Sequence, residues 1–186
     1  MRYFLSFLFV IGLTILAIVL VVSSLHGESA TRVGNPLVQY TYTPTQMEMT
    51  IDGPINADQT HSELQMTVSS SLSELNLEQG YDGTVVQSKT YTNNPASYAE
   101  FLQALEIAGF NEGVTAKGVN TNPIGYCAFG DRYTYQITNP YGNSPIENFW
   151  STSCGQGTFK GNSATVLDLF VAQMPDYNTV VGGTDL

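Results

Sequence analysis

Positive charge is scarce in this chain. Six Lys and Arg face sixteen Asp and Glu, a formal net charge of −10. The basic residues are scattered singly, so the clustered Lys and Arg that a nucleic-acid or anionic-lipid surface needs are missing. No nucleic-acid partner is expected. Histidine is almost absent too, with only His26 and His61. A zinc site wants three or four converging His, Cys or carboxylate ligands, and no H-E-x-x-H or C-x-x-C spacing occurs. Asp52 to Asp58 offers oxygen ligands, but at the wrong spacing for an EF-hand and without its closing Glu. No Gly-rich phosphate loop ends in Gly-Lys-Ser/Thr, and no G-x-S-x-G elbow presents a serine. A Ser–His–Asp site would have to use His61, because His26 borders the apolar amino-terminal run. No metal, cofactor or catalytic residue is therefore expected. A carboxylate pair of the glycosidase kind stays open, since sixteen acids are present and sequence spacing says nothing of spatial spacing. No N-x-Ser/Thr acceptor occurs, which is compatible with a bacterial origin.

What the chain does have begins at its amino terminus. Arg2 is followed by Tyr3 to Leu25 without one charge. At about 1.5 Å per residue such a helix spans roughly 35 Å, against a hydrocarbon core of about 30 Å. Residues 1–25 are expected to be a transmembrane signal-anchor, with residues 3–25 in the membrane. Arg2 stays inside by the positive-inside rule, and the C-terminal part is extracytoplasmic. The alternative is a secreted protein, its signal cleaved after Ser24, but the apolar core is longer than a signal usually carries. Without Arg2, the exported part is one charge more negative than the whole.

Residues 26–44 read as a polar tether with Gly27, Gly34, Pro36 and Pro44, in which Val38 to Tyr42 alternates and could add an edge strand. Residues 45–186 read as one exported domain. Cys127 and Cys154 both fall in it, and in an oxidising compartment an even pair reads as a disulfide. Its loop of about 28 residues is worth roughly 3–4 kcal/mol.

Alternation of apolar and polar residues predicts strands at Gln46 to Ile51, Leu64 to Val68, Leu75 to Gln79 and Val85 to Tyr91. Asp52-Gly53-Pro54 and Tyr81-Asp82-Gly83-Thr84 supply turns. Asn94 is a good N-cap, Pro95 suits the first helical position, and Gly109 supplies the stop. Between them Tyr98, Phe101, Leu102, Leu105 and Ala108 form one apolar stripe. After a polar crossing, Tyr126 to Phe129, Arg132 to Thr138 and Phe149 to Cys154 read as strands. A second helix runs from Ser163 to Gln173. The helices echo each other at an offset of 68: Asn94 and Asn162 open them, and Phe101, Leu102 and Ala104 match Leu169, Phe170 and Ala172. The expected fold is α+β: an antiparallel β-sheet with two α-helices on one face, preceded by one N-terminal transmembrane helix.

This order of parts resembles the small bacterial emfourin-type module. The residues that carry it are Leu102, Leu105, Ala108 and Phe110 on the first helix, then Asp131 to Ile137 as D-x-[FY]-x-Y-x-I, then Leu167 and Phe170. The match covers about residues 64–177. The resemblance implies a sheet-and-helix fold and inhibition of thermolysin-like metallopeptidases. The membrane anchor, the cysteine pair and the longer inserts depart from that family, and no inhibitory residue carries over.

Aromatic residues crowd the second half. Trp150, beside the cysteines, reads as core, while Tyr141, in a Pro/Gly/Asn loop, reads as an exposed partner contact. The function expected from all this is a membrane-anchored, extracytoplasmic, non-catalytic binding or accessory module with a protein or peptide partner at the envelope. A protease inhibitor is the alternative, and a hydrolase the remote one.

Overall fold

The computed structural model describes residues 31–115, 118–184 and 186; of Thr31–Val33 it describes the backbone alone. The expected membrane segment, residues 1–25, lies outside the described residues. Among the described residues no helix is long and apolar enough to cross a membrane.

Period-two patterning builds the main sheet. Strand β2 (Gln46–Asp52) buries Met47, Met49 and Ile51 and leaves Glu48 and Thr50 half-buried. Strands β3 (Ser62–Val68), β4 (Leu72–Gln79) and β7 (Arg132–Thr138) alternate in the same way. With β5 (Thr84–Thr92) and β8 (Glu147–Thr152) they form a six-stranded antiparallel sheet in the order β5-β4-β3-β2-β7-β8. The register puts the apolar sets on one side: Met49 opposes Met66 on β3 and Tyr135 on β7, and Tyr135 opposes Phe149 on β8. Each such side chain removed from water contributes about 1.5–3 kcal/mol.

Helix α1 (Pro95–Ile107) covers this apolar side with Tyr98, Phe101, Leu102 and Leu105. Asn94 caps it, accepting from the N–H groups of Ala96 and Ser97 at 3.0 and 3.1 Å. Gly109, at φ 77°, turns the chain away from the helix. Helix α2 (Ser163–Val171) is capped by Asn162, which accepts from the Thr165 N–H at 3.0 Å, and adds Val166 and Phe170 to the same core. Phe101 and Phe170 meet edge to face at 5.3 Å. The fold is thus α+β, with a six-stranded antiparallel sheet and helices.

Three details differ from the sequence reading. Residues 31–44 are not a tether, because the folded unit begins at Thr31. Strand β1 (Thr31–Val33) pairs with the short strand β6 (Glu112–Val114) in a separate two-stranded sheet. Leu37 to Tyr40 is a single 3-10 turn rather than an edge strand. Its Leu37 is fully buried, and the Leu37 N–H donates to Glu106 Oε2 at 2.9 Å. A lone apolar residue has no period, so its burial left no signal. Second, Tyr126 to Phe129 is a turn, not a strand. Cys127 there takes φ 48°, outside extended backbone, and Phe129 is 96 % exposed. Third, a short helix α3 (Tyr177–Val181) follows Pro175 and buries Val180. Five residues are too few to show a helical period.

Candidate functional site

The other face of the sheet is polar, and one row across it gathers most of the charge. Glu78 on β4 opposes Glu63 on β3, Glu63 opposes Asp52 on β2, Asp52 opposes Arg132 on β7, and Arg132 opposes Thr152 on β8. Cross-strand partners stand with Cβ atoms about 4.5–5.5 Å apart. Three carboxylates thus stand in a row that ends on one guanidinium. A bulge between Leu77 and Glu78 shifts the register against β5 at the acidic end of this row.

Arg132 is 3 % exposed and commits itself to Asp52. Its Nε donates to Asp52 Oδ2 at 2.8 Å, and its Nη2 donates to Oδ1 at 2.5 Å and to the Gly53 carbonyl at 2.7 Å. Its Nη1 is buried and has no acceptor. The fork-to-fork contact with Asp52 holds the guanidinium above its ordinary basicity.

His61, the one histidine that a Ser–His–Asp site could have used, is 2 % exposed. Its Nε2 stands 3.2 Å from Asp52 Oδ1 and its Nδ1 3.2 Å from the Pro54 carbonyl oxygen. Both ring nitrogens thus face acceptors, and neither is open to a substrate. The ring stacks on Tyr81 at 3.9 Å with an 11° interplanar angle. Tyr81 fastens the β2–β3 loop from the far side. Its hydroxyl donates to the Asn56 carbonyl at 3.0 Å and accepts from the Asn56 N–H at 3.2 Å, while its own N–H donates to Asp58 Oδ1 at 3.0 Å.

Between these groups lies a cleft of about 490 Å³. Asp52, His61, Glu63, Glu78 and Arg132 form its polar side, with Asp82. Tyr81, Ile55 and Ile124 contribute apolar surface and are 54 %, 48 % and 76 % exposed. Burial pushes the Glu63 carboxyl up to about 7; the charges of Asp52 and Glu78 add to this, and Arg132 opposes it. Among the described residues no group of three or more His, Cys, Asp or Glu is arranged to hold a metal ion.

Cys127 and Cys154 are joined in a disulfide, with Cα atoms 5.7 Å apart, tying the loop before β7 to the residues just after β8. Trp150 is 4 % exposed, yet it belongs to the polar face rather than to the main core. It opposes Thr134 on β7, lies 4.9 Å from the Tyr126 ring, and donates from Nε1 to the Asn120 carbonyl at 2.8 Å. The 118–127 loop buries it. Tyr141 is 85 % exposed in the loop after β7. Arg132 opens β7 and Thr138 ends it, so Tyr141 and the cleft are roughly 20 Å apart along the strand. The fold does not bring them together.

A second cleft of about 420 Å³ lies beside Tyr133, Ser151, Lys160 and Ser163. The Tyr135 hydroxyl, Ser151 and Ser163 form a chain there at 3.0 and 3.3 Å. No carboxylate or imidazole among the described residues hydrogen-bonds to that chain, so nothing activates a serine in it.

The alternation of β2 and β3 was accessible from sequence, but not their pairing: the strands expected at Gln46 to Ile51 and Leu64 to Val68 stop short of Asp52 and Glu63, and the partner of Arg132 is 80 residues away. No known protein family matches the chain, and no curated protein matches it.

Proposed function

We propose that this chain is a single-pass membrane protein, inside at its amino terminus. Its folded unit would be held outside by residues 3–25 as a non-catalytic binding module for a protein or peptide partner at the envelope. The cleft beside Arg132 is the principal contact and Tyr141 a separate one. The uncharged run from Tyr3 to Leu25 supports the anchor, and the acidic polar surface and the disulfide suit an exported domain.

One observation carries the binding reading. Asp52 and His61, two groups that could begin chemistry in the cleft, are spent on holding each other and Arg132. Asp52 is held by Arg132, and His61 is held between Asp52 and the Pro54 carbonyl. A general base needs a free lone pair within reach of the substrate, and this imidazole has none to offer. Tyr81, Ile55 and Ile124 face outward beside these groups and add apolar and aromatic surface. Such surface anchors partners.

The test is site-specific photo-crosslinking of the full chain in its own membranes. A photoreactive side chain at Ile124 is expected to give a discrete adduct, one at Tyr141 a second adduct, and one at Lys89 on β5 none. No adduct from either position overturns the proposal. Slowing of a thermolysin-like protease by the full chain in detergent would replace it with the inhibitor reading. Turnover of a glycoside that is lost in Glu63→Gln would replace it with the hydrolase.

A further inference from the structure

We infer that the cleft beside Arg132 receives a basic side chain of a peptide segment, its cationic head among Glu63, Glu78 and Asp82 and its aliphatic stem along Tyr81 and Ile124. This rests on the reading of the cleft as the binding site and names the chemistry of what enters it.

The charge inventory points to a cation. Four carboxylates, those of Asp52, Glu63, Glu78 and Asp82, line one cleft. Among the described residues the ion pairs in the cleft are those of Asp52 with Arg132 and His61, so Glu63, Glu78 and Asp82 make no direct ion pair there and Glu63 feels Arg132 only at a distance. Glu63 and Glu78 stand directly opposite each other on neighbouring strands, an arrangement that like charges disfavour. An arriving ammonium or guanidinium relieves that repulsion. A ligand carboxylate or phosphate adds to it.

Arg132 supplies the second constraint. It lines the cleft, its side chain is 4 % exposed, and its Nη1 has no acceptor. A bare amine leaves that donor unmet, whereas a peptide brings a carbonyl oxygen together with its cation. The rim fits the rest of such a ligand. One face of Tyr81 lies on His61, and the residue is still 54 % exposed, so its other face meets solvent and can pack against a methylene stem or a cation. A neutral saccharide could satisfy Nη1 and pack on Tyr81, but it leaves three carboxylates uncompensated.

The experiment uses the full chain in nanodiscs of zwitterionic lipid, titrated with the blocked pentapeptide Gly-Gly-Lys-Gly-Gly carrying a fluorophore. The expected result is saturable binding that weakens with salt, about tenfold weaker when the lysine is acetylated and about tenfold weaker in the Glu63→Gln/Glu78→Gln double variant. Both changes are neutral isosteres, and unchanged Trp150 fluorescence reports an intact fold. Glu100→Gln, on the exposed side of α1, is expected to change nothing. Equal binding of the lysine and acetyl-lysine peptides, no loss in the double variant, or binding of a neutral oligosaccharide in place of the peptide overturns the inference. If Ile124 still crosslinks to a partner while the peptides show no charge preference, only the inference fails. If crosslinking fails as well, the binding-module reading falls with it.

Discussion

Replacing Glu63 by Gln should stabilise the fold at alkaline pH and leave it unchanged in acid. In the folded chain the Glu63 carboxyl keeps its proton up to about 7, against an ordinary value of 4.5. Between those two pH values the folded state therefore holds more protons than the unfolded one. Stability then falls as pH rises from about 4.5 to 7, and the loss persists above 7. The full difference corresponds to about 3 kcal/mol as a ceiling. The carboxyl is only partly buried, and solvent screening reduces the expected effect to about 1–2 kcal/mol. Glutamine has nearly the same shape and cannot ionise. Wild type and variant should thus unfold together near pH 4 and diverge by about 1–2 kcal/mol at pH 8, with the variant the more stable. Urea unfolding can be followed through Trp150, the only tryptophan and 4 % exposed. At a typical slope of about 2 kcal/mol per molar urea, the midpoint moves by about 0.5–1 M. Glu78→Gln removes one of the neighbouring charges and should shift the wild-type transition toward lower pH. A difference that does not depend on pH, or a variant less stable at pH 8, refutes the reasoning.

Three other changes probe separate parts of the structure. Arg132→Met strands the Asp52 carboxylate beside His61 alone and should cost about 3 kcal/mol by denaturation, part of which Asp52→Asn in the same chain recovers. A Cβ on Gly113 would sit 2.2 Å from the Phe149 ring, so Gly113→Ala should lower stability by about 2 kcal/mol or more, and a thermal shift within 1 °C of wild type would contradict that packing. Cys127→Ser should cost about 3 kcal/mol, and peptide mapping without reductant should show residues 127 and 154 linked; free thiols at both would refute the pairing.

The parts of the fold legible in the sequence are those encoded by local rules. Met47, Met49 and Ile51 alternate with polar residues, and β2 is there with that face buried. Asn94, Pro95 and Gly109 mark the ends of α1, and its Asn94 cap bonds are made. Two cysteines in a stretch expected to be exported suggest a disulfide, and they form one. Leu37 and His61 were harder. Each is buried by a segment distant in the chain: Leu37 beside α1 and His61 beneath Tyr81. Non-local burial leaves no period behind.

By itself the sequence determined the composition of this protein's faces. It set an uncharged amino-terminal run, strands with one apolar and one polar side, helices with one apolar stripe, and a chain poor in cations. Those properties follow from neighbours in the chain and from side-chain chemistry. Tertiary structure alone decided which polar residues meet. Inserting β7 beside β2 set Arg132 against Asp52, and the hairpins β2–β3 and β3–β4 aligned Glu63 and Glu78 in the same row. The reason is physical: strand register is fixed by pairing across the sheet, and a shift of one residue would have turned that acidic row into the core.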